Sequence, residues 1–166
     1  MGRLYLLRHA KSSWDEPGVA DRERPLAPRG RKASKRIAAH LRDEGIAPDL
    51  ILCSPAKRTR QTLKRIELDA ADVRFADELY AASAGELLSV LNGIGDDVGS
   101  AMLIGHNPGI QDLALQLAGS GAEVGTMRAK FPTAALATLA FDGRWRELAP
   151  GGAELIAFVK PKQLAG

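Results

Sequence analysis

Two histidines and two arginines stand in short polar segments, each of which follows directly on an apolar run. Residues 4–7 lead into Arg8-His9, residues 50–53 into Ser54-Pro55-Ala56-Lys57-Arg58, and residues 101–104 into Gly105-His106-Asn107-Pro108-Gly109. Guanidinium forks match the oxygens of a compact, multiply charged anion bidentately, and phosphate is the obvious candidate. An imidazole can go beyond binding: with one ring nitrogen held by a hydrogen bond, the other can attack phosphorus. Phosphoryl transfer then asks for little more than in-line positioning and neutralisation of charge on the equatorial oxygens. Taken singly, each segment has a plain structural reading. An Arg-His pair can be a surface cation beside a capping histidine, Ser-Pro with basic residues a capped helix, and Gly-His-Asn-Pro-Gly a turn. Their joint occurrence is more specific than any one of them.

The elements that must position these residues follow from the apolar pattern. The three runs are brief and bounded by turn or cap residues, and read as strands buried on both faces. Helical patterns lie between them: residues 29–44, closed by Gly45; a helix opening at Ser54-Pro55, with Ser54 as N-cap; residues 85–91; and a helix opening at Asn107-Pro108, with Asn107 as N-cap. Strands alternating with helices predict an α/β fold with a mostly parallel sheet. In such sheets ligands sit beyond the carboxyl ends of the strands, where helix N-termini point free N–H groups outward. After Thr133, residues 134–141, an Asp142-Gly143 turn and residues 144–148 read as a hairpin. Residues 154–159 read as a further strand, which makes the sheet mixed.

The 166 residues, 45% of them hydrophobic, suit one domain over 1–166 with a real core. The run at 4–7 is cut off by Arg8, too short for a signal peptide or a membrane span, so a cytoplasmic protein without a membrane partner is expected. Cys53, the only cysteine, excludes an internal disulfide and reads as a small core hydrophobe. No cluster of His, Asp or Glu has metal-ligand spacing, and neither metal nor other cofactor is expected. The net charge of +3 owes most to Arg29, Arg31, Lys32, Lys35, Arg36 and Arg42, on a segment whose Ala33, Ile37 and Leu41 form a core-facing stripe. Those cations read as a solvated outer face or as a docking surface for an anionic partner. A phosphate- or nucleic-acid-binding module without catalysis is the competing class; the site chemistry favours an enzyme with no nucleic-acid partner.

Residues 4–14, Leu-Tyr-Leu-Leu-Arg-His-Ala-Lys-Ser-Ser-Trp, resemble the opening of the histidine phosphatases with a phosphoglycerate-mutase-like fold, in particular the SixA-type phosphohistidine phosphatases. Arg24-Pro25-Leu26 through Gly30 resembles the approach to that family's first long helix. Residues 54–62 resemble its second motif and residues 104–109 its third, and Phe131-Pro132-Thr133-Ala134-Ala135 is similar as well. The resemblance implies a three-layer α/β/α sandwich, a phosphoryl acceptor at His9, and a phosphate clamp of Arg8, Arg58 and His106. Many members add a carboxylic acid between the second and third motifs to protonate the leaving oxygen. Glu78 is the candidate, with Asp77, Asp72 and Glu86 as competitors. SixA-like chains are weak in this element, which has a chemical reading. Imidazole, with a pKa near 6.5, leaves phosphorus far more readily than an alkoxide and needs acid catalysis less. The interval from Arg58 to His106 holds no long insertion to form a lid. A phosphorylated protein, such as a histidine-containing phosphotransfer domain, is therefore the expected partner, with a small phosphomonoester as the alternative substrate.

Overall fold

The first strand, β1 (Gly2–Arg8), sends alternate side chains into two separate cores. Leu4 and Leu6 enter one, Tyr5 and Leu7 the other, as the two-residue period of a strand covered on both faces demands. Full burial of each such leucine contributes about 1.5–3 kcal/mol. A computed structural model describes residues 1–70 and 72–164. Its further strands are β2 (Leu50–Cys53), β3 (Asp72–Phe75), β4 (Ser100–Gly105), β5 (Ala118–Ser120), β6 (Leu136–Phe141) and β7 (Ala153–Val159), and they form one sheet in the order β3-β2-β4-β1-β6-β7-β5. β1, β2, β3 and β4 run parallel, β6 is antiparallel to both β1 and β7, and β5 lies parallel to β7.

Helices α1 (Pro28–Asp43) and α2 (Lys57–Ile66) supply one core with Ile37, Leu41 and Ile66. Helices α3 (Ala84–Asn92), α4 (Gly109–Leu117) and α5 (Val124–Ala129) supply the other with Leu87, Leu91, Ile110, Leu113 and Met127. The result is the expected three-layer sandwich around a mixed sheet. Gly45 ends α1 as read from the sequence, at φ +65°, with the Ile46 amide bonding back to the Leu41 carbonyl. Among the described residues no helix is long and apolar enough to cross a membrane.

The expected hairpin is wrong in its second arm. Residues 145–147 form a 3-10 turn, Trp145 is buried with its indole N–H donating to the Val98 carbonyl, and β6 pairs instead with β7. The need to bury Trp145 overrides the short alternation around it. β3, β5 and α5 were not foreseen. β3 is a sheet edge with Val73 and Phe75 exposed, β5 has three residues and α5 six, too few for a periodic signal.

α1 approaches the chain after β1 so closely that a Cβ on Gly30 would sit 2.1 Å from the Lys11 carbonyl oxygen. Replacing an interior helical glycine by alanine ordinarily stabilises by about 1 kcal/mol. Here Gly30→Ala is expected to destabilise, by about 1–3 kcal/mol, because both partners at the clash are backbone. Urea unfolding checks the sign, and a more stable variant would show that α1 can move away freely.

Candidate active site

The register of the sheet gathers the three polar segments at one edge. Arg8 of β1 lies opposite Gly105 of β4, and Cys53 of β2 opposite Ile104. The ladder then runs one step past the strand ends: the His9 amide donates to the Gly105 carbonyl at 3.0 Å and the Ser54 amide to the Ile104 carbonyl at 3.1 Å. His9, Ser54 and His106 therefore leave the sheet side by side. The two imidazole centroids are 5.2 Å apart, and His106 Nε2 lies 2.8 Å from Ser54 Oγ. Arg8 reaches the Phe131 carbonyl with Nη1 at 2.9 Å. Arg58, in the first turn of α2, donates Nη1 to the Asp21 carbonyl at 2.7 Å and Nη2 to Asp21 Oδ2 at 3.0 Å.

His9 is 7% exposed, and its Nδ1 lies 2.7 Å from the Ala10 carbonyl oxygen. A carbonyl only accepts, so Nδ1 carries the proton and the neutral ring keeps its lone pair on Nε2. Burial pushes the His9 pKa down to about 3, against the Ala10 hydrogen bond, and the nearby His106, Arg58 and Arg8 push it the same way. Burial and the Arg58 charge bring His106 to about 4, with Asp21 opposing. Burial also lowers Arg8. Three buried donors or acceptors, Arg8 Nε, Arg58 Nε and His106 Nδ1, have no partner among the described residues. Such groups are costly when unsatisfied, and an anion with several acceptor oxygens is the ligand that suits two guanidinium N–H groups and an imidazole N–H together.

Residues 4–88 match the model of the histidine phosphatase superfamily (branch 1). This chain belongs to that superfamily. A protein of Mycobacterium tuberculosis, Rv1276c, is 40% identical over 160 residues, covering 94% of this chain and all of that one. The solved structure of a candidate phosphohistidine phosphatase SixA from Nakamurella multipartitia has a TM-score of 0.87 and 32% identity, over 96% of both chains. Its counterpart from Agrobacterium tumefaciens gives 0.81 and 33%, over 96% of this chain and 98% of that one. The fold is the phosphoglycerate-mutase-like fold of such phosphatases.

Of the sequence-derived site residues of this phosphatase, Arg8, His9, Arg58 and His106 come together. Glu78 sits exposed on a 3-10 turn, Asp77–Leu79, and no hydrogen bond or ion pair among the described residues joins it to the other four. Asp77 pairs with Arg22 at 2.9 Å, and Glu86 completes a capping box with Ser83 at the start of α3. Asp72 pairs with Arg74 at the far edge of the sheet.

Two N-cap expectations need correction. α2 starts at Lys57 after Ala56, which frees Ser54 to bond His106; α4 starts at Gly109 after Pro108, although Asn107 Oδ1 still accepts the Gln111 amide at 3.2 Å. Sequence reading missed Asp21 and Tyr80. Asp21 accepts from Arg58, from Arg24 Nε at 3.2 Å and from the Tyr80 hydroxyl. The Tyr80 bond, then Arg58, hold its carboxyl down at about 2, while Tyr80 is raised. The only available signal was general: a buried arginine wants a counter-ion.

A histidine whose folded pKa is depressed binds its proton more readily unfolded, so stability is lost as pH falls below about 6.5 toward the folded values. His9 and His106 should each add a slope of up to about 1.4 kcal/mol per pH unit between about pH 6 and pH 4. Urea unfolding across that range is expected to show it, and His9→Gln to flatten it by one histidine's share. An unchanged slope in the variant would mean that His9 protonates as easily folded as unfolded.

Proposed function

We propose that this phosphatase removes the phosphoryl group from phosphohistidine on a signalling protein, with His9 as transient acceptor. The observation that carries the reading is the buried, neutral His9, committed through Nδ1 to the Ala10 carbonyl and so left with a nucleophilic Nε2. Nε2 attacks phosphorus as the bond to the substrate imidazole breaks; that ring, already protonated by solvent on its other nitrogen, departs as neutral imidazole. Water then attacks the phosphorylated His9, releasing phosphate and restoring the free ring. Arg8 and Arg58 neutralise the charge on the oxygens, and the neutral His106 ring offers them a hydrogen bond. When the Ser54 hydroxyl donates to His106 Nε2, the His106 proton resides on Nδ1 and points to the same role. Asp21 holds the two terminal nitrogens of Arg58 and so orients its Nε.

The substrate class rests on acid catalysis. Asp21, the carboxylate bound into the site, is ionised at neutral pH and already accepts from Arg58, Arg24 and Tyr80, so it has no proton to give. Glu78 is exposed and unattached to the four site residues. A site so furnished suits imidazole, a leaving group with a pKa near 6.5, better than an alkoxide. Among the described residues no group of three His, Cys, Asp or Glu could hold a metal ion, and the mechanism proposed needs none.

His9→Ala is expected to abolish turnover. Quenching the wild-type reaction with EDTA present should trap an acid-labile, alkali-stable phosphoryl group on His9; label on a serine, or no label until a divalent ion is added, would overturn the mechanism.

Glu78 separates phosphohistidine from the alternative, a small phosphomonoester. Glu78→Gln should leave kcat/KM for phosphohistidine, or for an aryl phosphate, within about twofold, while slowing an alkyl phosphate by about tenfold or more if Glu78 is its acid. A wild-type enzyme that strongly prefers alkyl phosphates would put the small-molecule reading in place of the leading one.

A further inference from the structure

The same sheet edge carries a second concave feature, and it is strongly basic. A cleft of about 550 Å³ opens between the first turns of α1 and the segment that joins α5 to β6, with the turn after β7 as its third wall. α1 contributes Arg29, Lys32 and Arg36, spaced i, i+3, i+7 and so on one helix face. Lys130 faces them, and Lys160 and Lys162 close the end. Among the described residues its lining contains no carboxylate side chain and no aromatic ring. Half of the basic segment singled out in the sequence thus lines one cleft, with Arg29 and Lys32 still exposed on the outer face.

The cleft adjoins the phosphoryl site. Its remaining cation, Lys11, is two residues past His9. Pro132 and Thr133, also in its wall, follow Phe131, whose carbonyl holds Arg8, and precede Ala134, whose amide donates to the Arg8 and His9 carbonyls. β6 runs antiparallel to β1 and β7 antiparallel to β6, so the start of β6 and the end of β7 share the edge where β1 ends.

Seven cations lining one cleft repel one another, and most strongly within the Debye length of about 8 Å, so a complementary anion gains from their shared field. Arg36 adds a specific sign of incompleteness: its Nε is buried without a partner among the described residues. Five of the seven cations are lysines, compact charges on flexible stems, which suit the scattered carboxylates of a polypeptide better than the planar clamp of a fixed phosphate. Absence of an aromatic lining argues against stacked bases.

We infer that this cleft binds an acidic segment flanking the phosphohistidine of the protein substrate. The inference rests on the phosphohistidine reading above, and the cleft supplies its partner specificity while His9 supplies the chemistry. Charged complementarity of this kind acts on encounter and KM more than on the chemical step.

Two histidine peptides, one flanked by glutamates and one by glutamines, are phosphorylated chemically and compared with p-nitrophenyl phosphate, which reaches only the phosphoryl site. Wild type is expected to favour the glutamate peptide by about tenfold in kcat/KM, through KM, with the advantage shrinking as salt rises. The variant Lys32→Glu, Lys130→Glu, Lys162→Glu, changed at three exposed side chains, should lose that preference and keep its p-nitrophenyl phosphate turnover. Equal hydrolysis of both peptides by wild type sinks the inference alone, and so does a preference that survives in the triple variant. Hydrolysis of neither peptide, with p-nitrophenyl phosphate still turned over, sinks the phosphohistidine reading and the inference with it. Salt-sensitive binding of a single-stranded oligonucleotide that the glutamate peptide cannot displace would assign the cleft to nucleic acid and overturn it as well.

Discussion

The residue that follows His9 is held from both ends. Its amide, at Ala10, donates to Thr62 Oγ1 at 3.0 Å, and the Ala10 carbonyl accepts from His9 Nδ1 at 2.7 Å. Thr62 in turn donates to the Arg58 carbonyl at 2.8 Å, which ties the support of the His9 ring to the helix that carries Arg58. One residue further, the Lys11 carbonyl accepts from the Ala27 amide and abuts Gly30 of α1. The imidazole tautomer, the position of Arg58 and the docking of α1 are thus set by three consecutive residues of backbone. Without the Ala10 bond the ring could protonate on either nitrogen, and the lone pair on Nε2 would lose its fixed direction.

Electrostatics connects that geometry to stability. Two imidazoles are buried beside two guanidinium groups, and all four would be worse off charged and unpartnered. The histidines respond by staying neutral, which is the form a nucleophile needs. Arg58 responds by taking Asp21 as counter-ion, and Asp21 is steadied by Arg24, itself bonded to Ser12 Oγ at 2.8 Å and lying under the Trp14 ring at 3.5 Å. A loop of exposed, strongly charged residues thereby becomes part of a buried site. Burial that costs stability at low pH is the same burial that suits His9 to its chemistry.

The motif residues around the reactive groups have structural work that their spacing does not announce. In residues 54–62, Ser54 meets His106, Thr59 bonds the Ser54 and Ala56 carbonyls, Gln61 accepts the Leu26 amide at 2.8 Å and Thr62 holds Ala10. Such a run looks like a capped basic helix, and it is one. Its polar face is aimed at the chain after β1 because that face meets the loop and α1 once the helix docks on the sheet.

The family resemblance implied the sandwich, while sequence by itself determined the parallel strand ends and marked His9, Arg8, Arg58 and His106 as candidates. Those rest on local signals: short apolar runs cut off by polar groups, and caps and prolines that start helices, so they survive without knowledge of what lies opposite. Tertiary structure alone decided the counter-ion Asp21, the Tyr80 contact, the exposed place of Glu78, the pairing of β6 with β7 and the basic cleft. Each joins segments distant in the chain, Asp21 to Arg58 and Tyr80, Lys32 to Lys130 and Lys162. Charged and polar surface residues carry no period that reports their partner, and only the register of the sheet and the docking of helices upon it bring the two sides together.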